Sequence, residues 1–168
     1  MRIDAHTYAH PARGGALCLP SSSGLLCVAA GGGRPEETAQ EASAFPGGRP
    51  TAEVDWGVLL SAGDILTWAA GKDAGVCRIR QGRFERLNRQ SLPEGKEKIL
   101  PGDRYLAATR GFWQYVGETE AALDACAAID ARDWAERMLL RLAHRCLLRG
   151  EPFALTVLTA EKNEQGGQ

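Results

Sequence analysis

Residues 76 to 87 carry the strictest alternation in the chain. Val76, Arg78 and Arg80 fall on one side of an extended segment, and Cys77 and Ile79 fall on the other. Gln81-Gly82 supplies a turn, after which Phe84 and Leu87 resume the apolar side. A side-chain period of two belongs to strands, so this stretch predicts an antiparallel hairpin with a buried face. A buried sheet face needs a second layer against it. The rest of the chain supplies both further strands and helices for that purpose.

Two short apolar runs, Ala16 to Leu19 and Leu25 to Ala29, flank Pro20-Ser21-Ser22-Ser23-Gly24 and predict another hairpin. Gly31-Gly32-Gly33 ends its second strand. A helix is expected over Pro35 to Phe45. Pro suits its first turn, Glu36 and Glu37 complement its N-terminus, and Pro46-Gly47-Gly48 stops it. Val58 to Leu60 and Ile65 to Ala69 form a strand pair around Ser61-Ala62-Gly63-Asp64. Pro101-Gly102-Asp103 introduces a strand over Tyr105 to Ala108.

The last third reads as helical. Glu118 to Ala128 is Ala-rich, and Asp130 N-caps a longer helix running to Arg149. Ala135, Met138, Leu139, Leu142 and Cys146 make its apolar stripe, and Gly150 closes it. Leu155 to Leu158 is a closing strand. No repeat or linker is visible. The expectation is one α+β domain over residues 1–160, with a disordered polar tail over residues 161–168.

Charge narrows the partners. Lys+Arg number 20 and Asp+Glu 21, a net charge of −1, so the basic excess of a nucleic-acid or membrane-surface protein is missing. The longest apolar runs are too short to span a bilayer. Met1 to His10 has no apolar core of a signal peptide. Cys18, Cys27, Cys77, Cys126 and Cys146 show no C-x-x-C, so they read as reduced core residues of a cytoplasmic protein.

Six strings follow one another in a telling order. They are Arg13-Gly14-Gly15-Ala16, Val28-Ala29-Ala30-Gly31-Gly32-Gly33, Gly71-Lys72-Asp73-Ala74, Pro101-Gly102-Asp103-Arg104-Tyr105-Leu106, Ala108-Thr109-Arg110-Gly111-Phe112-Trp113 and Phe153-Ala154-Leu155-Thr156-Val157-Leu158. Over roughly residues 10 to 160 this order resembles the PPM-type Ser/Thr protein phosphatases of compact bacterial type. Their strings are Asn-Glu-Asp-Ala, Val-Ala-Asp-Gly-Met-Gly-Gly, Gly-Asp-Ser-Arg, Pro-Gly-Asp, Ser-Asp-Gly-Phe/Leu-Trp and Asp-Asn before a closing strand. The resemblance implies a sandwich of two antiparallel β-sheets flanked by helices, here shortened. It lacks the Gly-x-Gly-Thr-Thr string and most of the flap segment.

The resemblance also implies a two-metal hydrolase, in which Mn²⁺ or Mg²⁺ held by aspartates activates water. Each aspartate position can be checked in this chain. They fall on Gly15, Ala30, Arg110 and Phe153, with Ala154 for the Asn, and the phosphate-binding Arg falls on His10 beside Pro11. Only Gly31, a backbone carbonyl ligand in the family, survives. Hard cations need carboxylate oxygens, so no metal cofactor and no catalytic residue are expected. Arg110 is expected to fill the vacated site with its own cation. Trp113 and Phe153 are expected to fill the cleft.

The resulting expectation is an inactive homologue that binds a protein partner: a kinase, a phosphatase or a phosphoprotein. Arg78, Arg80, Arg83 and Arg86, with Arg89, form a basic hairpin that reads either as a solvated face balanced by Glu85, Glu94 and Glu97 or as a docking surface for phosphate. A divergent hydrolase keeping one metal on Asp64, Asp73 or Asp103, and a small-molecule sensor using the cleft, stay open. Other groupings read as structural. Asp4, His6 and His10 belong to an extended N-terminal strand, Gly31-Gly32-Gly33 to a turn, Trp56, Trp68 and Trp134 to the packed layers, and Cys126 and His144 to buried helix positions.

Overall fold

The computed structural model describes residues 1–10, 15–21, 24–145 and 152–162. Ten strands and four helices are present among them: β1 (Arg2–Ala9), β2 (Gly15–Ser21), β3 (Gly24–Ala30), α1 (Pro35–Ala42), β4 (Trp56–Ala62), β5 (Ile65–Gly71), β6 (Gly75–Arg80), β7 (Arg83–Arg86), β8 (Glu94–Lys98), β9 (Arg104–Ala108), α2 (Arg110–Trp113), α3 (Glu118–Ala127), α4 (Ala131–Arg145) and β10 (Ala154–Glu161). They form two five-stranded sheets, ordered β1-β10-β9-β6-β7 and β2-β3-β4-β5-β8, with every strand pair antiparallel.

Alternation places the layers. On β6, Cys77 and Ile79 enter the core beneath α3 and α4, while Val76 enters the core between the sheets. β9 and β10 divide their residues the same way: Leu106, Leu155 and Val157 face the helices, and Tyr105, Ala107 and Leu158 face the second sheet. On the far side, α1 covers Val28, Val58 and Leu60 with Ala39 and Ala42. The order is helix, sheet, sheet, helix.

The predicted hairpins form with matching registers. Arg80 pairs with Arg83 across Gln81 (φ 52°) and Gly82 (φ 76°), two successive left-handed residues that suit a two-residue turn between twisted strands. Asp130 caps α4 through a 2.7 Å bond accepted from the Asp133 N–H. Trp134, Ala135, Met138 and Leu142 are the buried stripe of α4.

Several expectations need correction. The first helix ends at Ala42 rather than Phe45, because Pro46 disfavours helical backbone at Phe45. β8 is a strand with no apolar pattern of its own. Its Gly95 lies on the Trp68 indole, where a Cβ would come within 2.6 Å of the ring. Glu161, assigned to the tail, pairs with Arg2 as the last residue of β10. Cys126 and His144, expected inside, are both exposed. Pro11, Arg13-Gly14, Ser22-Ser23, Cys146 to Gly150, and the tail from residue 163 lie outside the described residues.

Candidate functional site

At one end of the sandwich β3, β5 and β9 finish and β4 begins. A cavity of about 370 Å³ opens there, lined by Gly31, Gly32, Asp55, Lys72, Asp73, Thr109, Arg110, Gly111, Gln114 and Pro152. Four of the lining side chains are charged: Asp55, Lys72, Asp73 and Arg110. The two aromatic residues expected to fill this cleft are elsewhere. Phe153 is 1% exposed in the helix-side core, with its ring edge-on to His10. Trp113 leans on Phe84, stacks under Arg86 and donates its indole N–H to the Ala108 carbonyl.

Asp55 organises the cleft and was not singled out by the sequence. It sits in the turn just before β4. Its carboxylate accepts the Arg110 backbone N–H at 3.0 Å and so caps the first turn of α2 from another part of the chain. Its backbone carbonyl accepts the Gly31 N–H at 2.8 Å. The second carboxylate oxygen is buried with no hydrogen-bond partner among the described residues. Burial pushes this carboxyl up to about 6. The Arg110 N–H opposes the shift, the Asp73 charge adds to it, and the Lys72 and Arg110 charges pull it back.

Arg110 does not plug the site. Its side chain is 61% exposed, and its guanidinium lies 3.6 Å from the Asp73 carboxylate at the cleft mouth. An exposed ion pair of this length contributes at most about 1 kcal/mol. Beside it Lys72 holds a left-handed backbone (φ 43°), an uncommon conformation for a side chain with a Cβ. Its N–H donates to the Ala52 carbonyl at 2.8 Å.

The other positions at which the sequence resemblance expects metal ligands are taken up by packing and backbone contacts. Gly15 faces the start of α1, where a Cβ would stand 2.6 Å from the Pro35 carbonyl oxygen. Ala30, its cross-strand partner, is fully buried in the core under α1. Gly31 keeps its place at the cavity wall, where a Cβ would fit tightly, 3.2 Å from the Asp55 carboxylate and 3.3 Å from the Thr109 methyl. His10 hydrogen-bonds through its backbone N–H to the Phe153 carbonyl at 2.8 Å. Among the described residues no three His, Cys, Asp or Glu side chains converge as a ligand set. Asp55 and Asp73 are the cleft's two carboxylates, and Arg110 stands beside both. This donor set does not fit a two-metal centre.

The alternative carboxylates separate clearly. Asp103, 1% exposed, takes Arg80 through two bonds of 2.7 and 2.6 Å, the Leu100 N–H and the Tyr105 hydroxyl. Burial alone would raise its pKa, but these donors outweigh burial and hold it below the ordinary carboxylate range. Asp64 pairs with Lys98 on the surface. Only Asp73 of the three lines the cleft.

The basic hairpin is largely committed inside the molecule. Arg78 reaches across to β8 and bonds Glu97 at 3.0 Å, and it also pairs with Glu85. Arg80 holds Asp103, and Arg86 bonds Asn88 while it covers Trp113. Arg78 and Arg80 sit on the face of β6 that looks toward the second sheet, so their charges tie the two sheets together. Arg83 and Arg89 are exposed.

No family model matches the chain, and no curated protein matches its sequence. Solved structures do match it from end to end. The serine/threonine phosphatase of S. agalactiae superposes with a TM-score of 0.72 at 13% identity, covering 95% of this chain and 99% of that one. The catalytic domain of the serine/threonine phosphatase PstP, in complex with two manganese ions, gives 0.68 at 13% identity, with 96% and 98% covered. The PPM Ser-Thr phosphatase MsPP from Mycobacterium smegmatis gives 0.61 at 14% identity, with 95% and 98% covered. The chain has the PPM phosphatase fold. The expected α+β sandwich of two antiparallel sheets is therefore present, and the cleft described above occupies the end of a PPM sandwich. No helix among the described residues is long and apolar enough to cross a membrane.

Proposed function

We propose that this chain is a binding module on a PPM fold and not a phosphoester hydrolase. Its partner is a protein of Ser/Thr phosphorylation signalling, a kinase, an active phosphatase or a phosphoprotein, in the cytoplasm of a bacterial cell. One observation carries the reading. On the sequence resemblance the four aspartate positions fall on Gly15, Ala30, Arg110 and Phe153, and none of these residues offers a side-chain oxygen. Divalent-metal activation of water needs that negative charge. At Arg110 the charge is reversed, so this position repels a cation where the family pattern would hold one.

The test is hydrolysis of p-nitrophenyl phosphate and of a phosphothreonine peptide, with and without millimolar Mn²⁺. The expected result is turnover at the level of the enzyme-free blank and no response to metal. Metal-dependent turnover would overturn the proposal. Two observations favour particular alternatives. The unpartnered oxygen of Asp55 beside Asp73 favours a divergent hydrolase with one metal, which Asp73→Asn would silence. The open cavity with its charged rim favours a small-molecule sensor, which a ligand-dependent rise in melting temperature would reveal.

A further inference from the structure

Cys18 on β2 stands directly opposite Cys27 on β3, with their Sγ atoms 3.2 Å apart. The register says what this pair can do. Antiparallel partners alternate between hydrogen-bonded pairs and non-hydrogen-bonded pairs, the latter with Cα atoms about 4.5 Å apart. Pro20, opposite Leu25, has no N–H to donate, so that pair is of the second kind. Two residues further along both strands, Cys18 and Cys27 are of the same kind. A Cα separation of about 4.5 Å falls inside the range of roughly 4.4–6.8 Å that a disulfide bridges.

The two thiols are unequal. Cys18 lies on an edge strand and is half-buried, whereas Cys27 is fully buried between the sheets. The hydrogen bond shared with Cys27 lowers the Cys18 pKa against the opposing effects of burial and the Asp4 charge. That same bond, together with burial, raises Cys27 well above the ordinary thiol range. The reachable sulfur is the better thiolate, and the protected sulfur keeps its proton beside it.

We propose that Cys18 and Cys27 form an oxidative modification site, a dithiol that a peroxide closes into a cross-strand disulfide and a small thiol reopens. The Cys18 thiolate attacks hydrogen peroxide, the O–O bond breaks, and Cys18 becomes a sulfenic acid as hydroxide leaves. The Cys27 thiol then attacks that sulfur, the S–O bond breaks, and water leaves with the Cys27 proton. The two sulfurs together lose two electrons, and the peroxide is reduced to two waters. Exchange with two small thiols returns the electrons. The C-x-x-C spacing that flags such pairs in a sequence is missing here, because the partners meet across a hairpin rather than along one helix.

The experiment uses the intact folded chain. It is treated with hydrogen peroxide, blocked with N-ethylmaleimide in denaturant and digested with trypsin without reductant. Pro35 and Pro50 protect Arg34 and Arg49, so Cys18 and Cys27 share the fragment from Gly14 to Lys72, while Cys77 and Cys126 fall on others. The expected fragment is two hydrogens lighter and carries neither label, and dithiothreitol before blocking restores both labels. In Cys18→Ser, at the half-exposed position, Cys27 should take its single label with or without peroxide. Two labels surviving on the wild-type fragment while the exposed Cys126 is oxidised would overturn the proposal. So would accumulation of Cys18 sulfinic acid in place of the disulfide.

Discussion

Asp55 is ionised at a cost that the fold sets. Its native pKa of about 6 lies above the ordinary carboxylate value, so the folded state binds this proton more tightly than the unfolded chain does. The stabilisation from the bound proton is fully present below about pH 4 and is lost as pH rises through about 6. Asp55→Asn keeps an acceptor for the Arg110 N–H and removes the charge. It should therefore gain stability over the wild type at pH 7.5, on the order of 2 kcal/mol, and match it near pH 4. Urea unfolding at the two pH values measures this, and equal destabilisation at both would contradict the argument. Single residues could be assigned a position where a motif offered one, as at Gly15, Ala30 and Arg110, but not a side-chain placement, since the Arg110 guanidinium lies at the cleft mouth and does not plug the site. Asp55 could be assigned neither, because one acid before an apolar strand has no pattern. Its burial arises only when Gly31 and Arg110, far apart in sequence, close around it.

Among the elements, those with a repeating apolar face could be read and those without one could not. β6 and α4 bury a side chain at every second residue or on one helical stripe; β6 stands where expected, and α4 does so over its described residues, Ala131–Arg145. β8 reads Glu-Gly-Lys-Glu-Lys, with its inward positions held by Gly95 and Glu97. It forms because Trp68 accepts a glycine and because Arg78 and Tyr105 supply donors to Glu97. Neither cause is local to the segment. The pairing of α3 with α4 rests on Trp134, which is fully buried and donates its indole N–H to the Ala121 carbonyl at 3.2 Å. Trp134→Ala empties that position and removes the indole bond between the helices, with an expected loss of roughly 3–5 kcal/mol. Chemical denaturation reads it, and a loss below about 1 kcal/mol would mean that α4 is held by its other contacts.

On the scale of the whole molecule, the two sheets share one core and should unfold together. Leu158 and Tyr105 from the first sheet pack with Leu59, Leu66 and Trp68 from the second, all at or near zero exposure. Trp56 and Trp68 report on one sheet, and Trp113 and Trp134 on the helices over the other. Tryptophan fluorescence and far-ultraviolet circular dichroism should trace one coincident transition. Leu158→Ala should move both by the same amount, about 2–5 kcal/mol, and separated midpoints would show that the layers fold independently. The succession of strands and helices was readable at this scale because strings such as Pro101-Gly102-Asp103 kept their order. The openness of the cleft was not, since it depends on where Phe153 and Trp113 turn their rings. The contact between Gly15 and the Pro35 carbonyl has a historical consequence. Descendants of this chain could mutate Gly15 to aspartate by a single codon change, yet the new side chain would strike the helix backbone before it met any cation. The helix would have to retreat first, and that retreat brings no advantage until the aspartate has arrived.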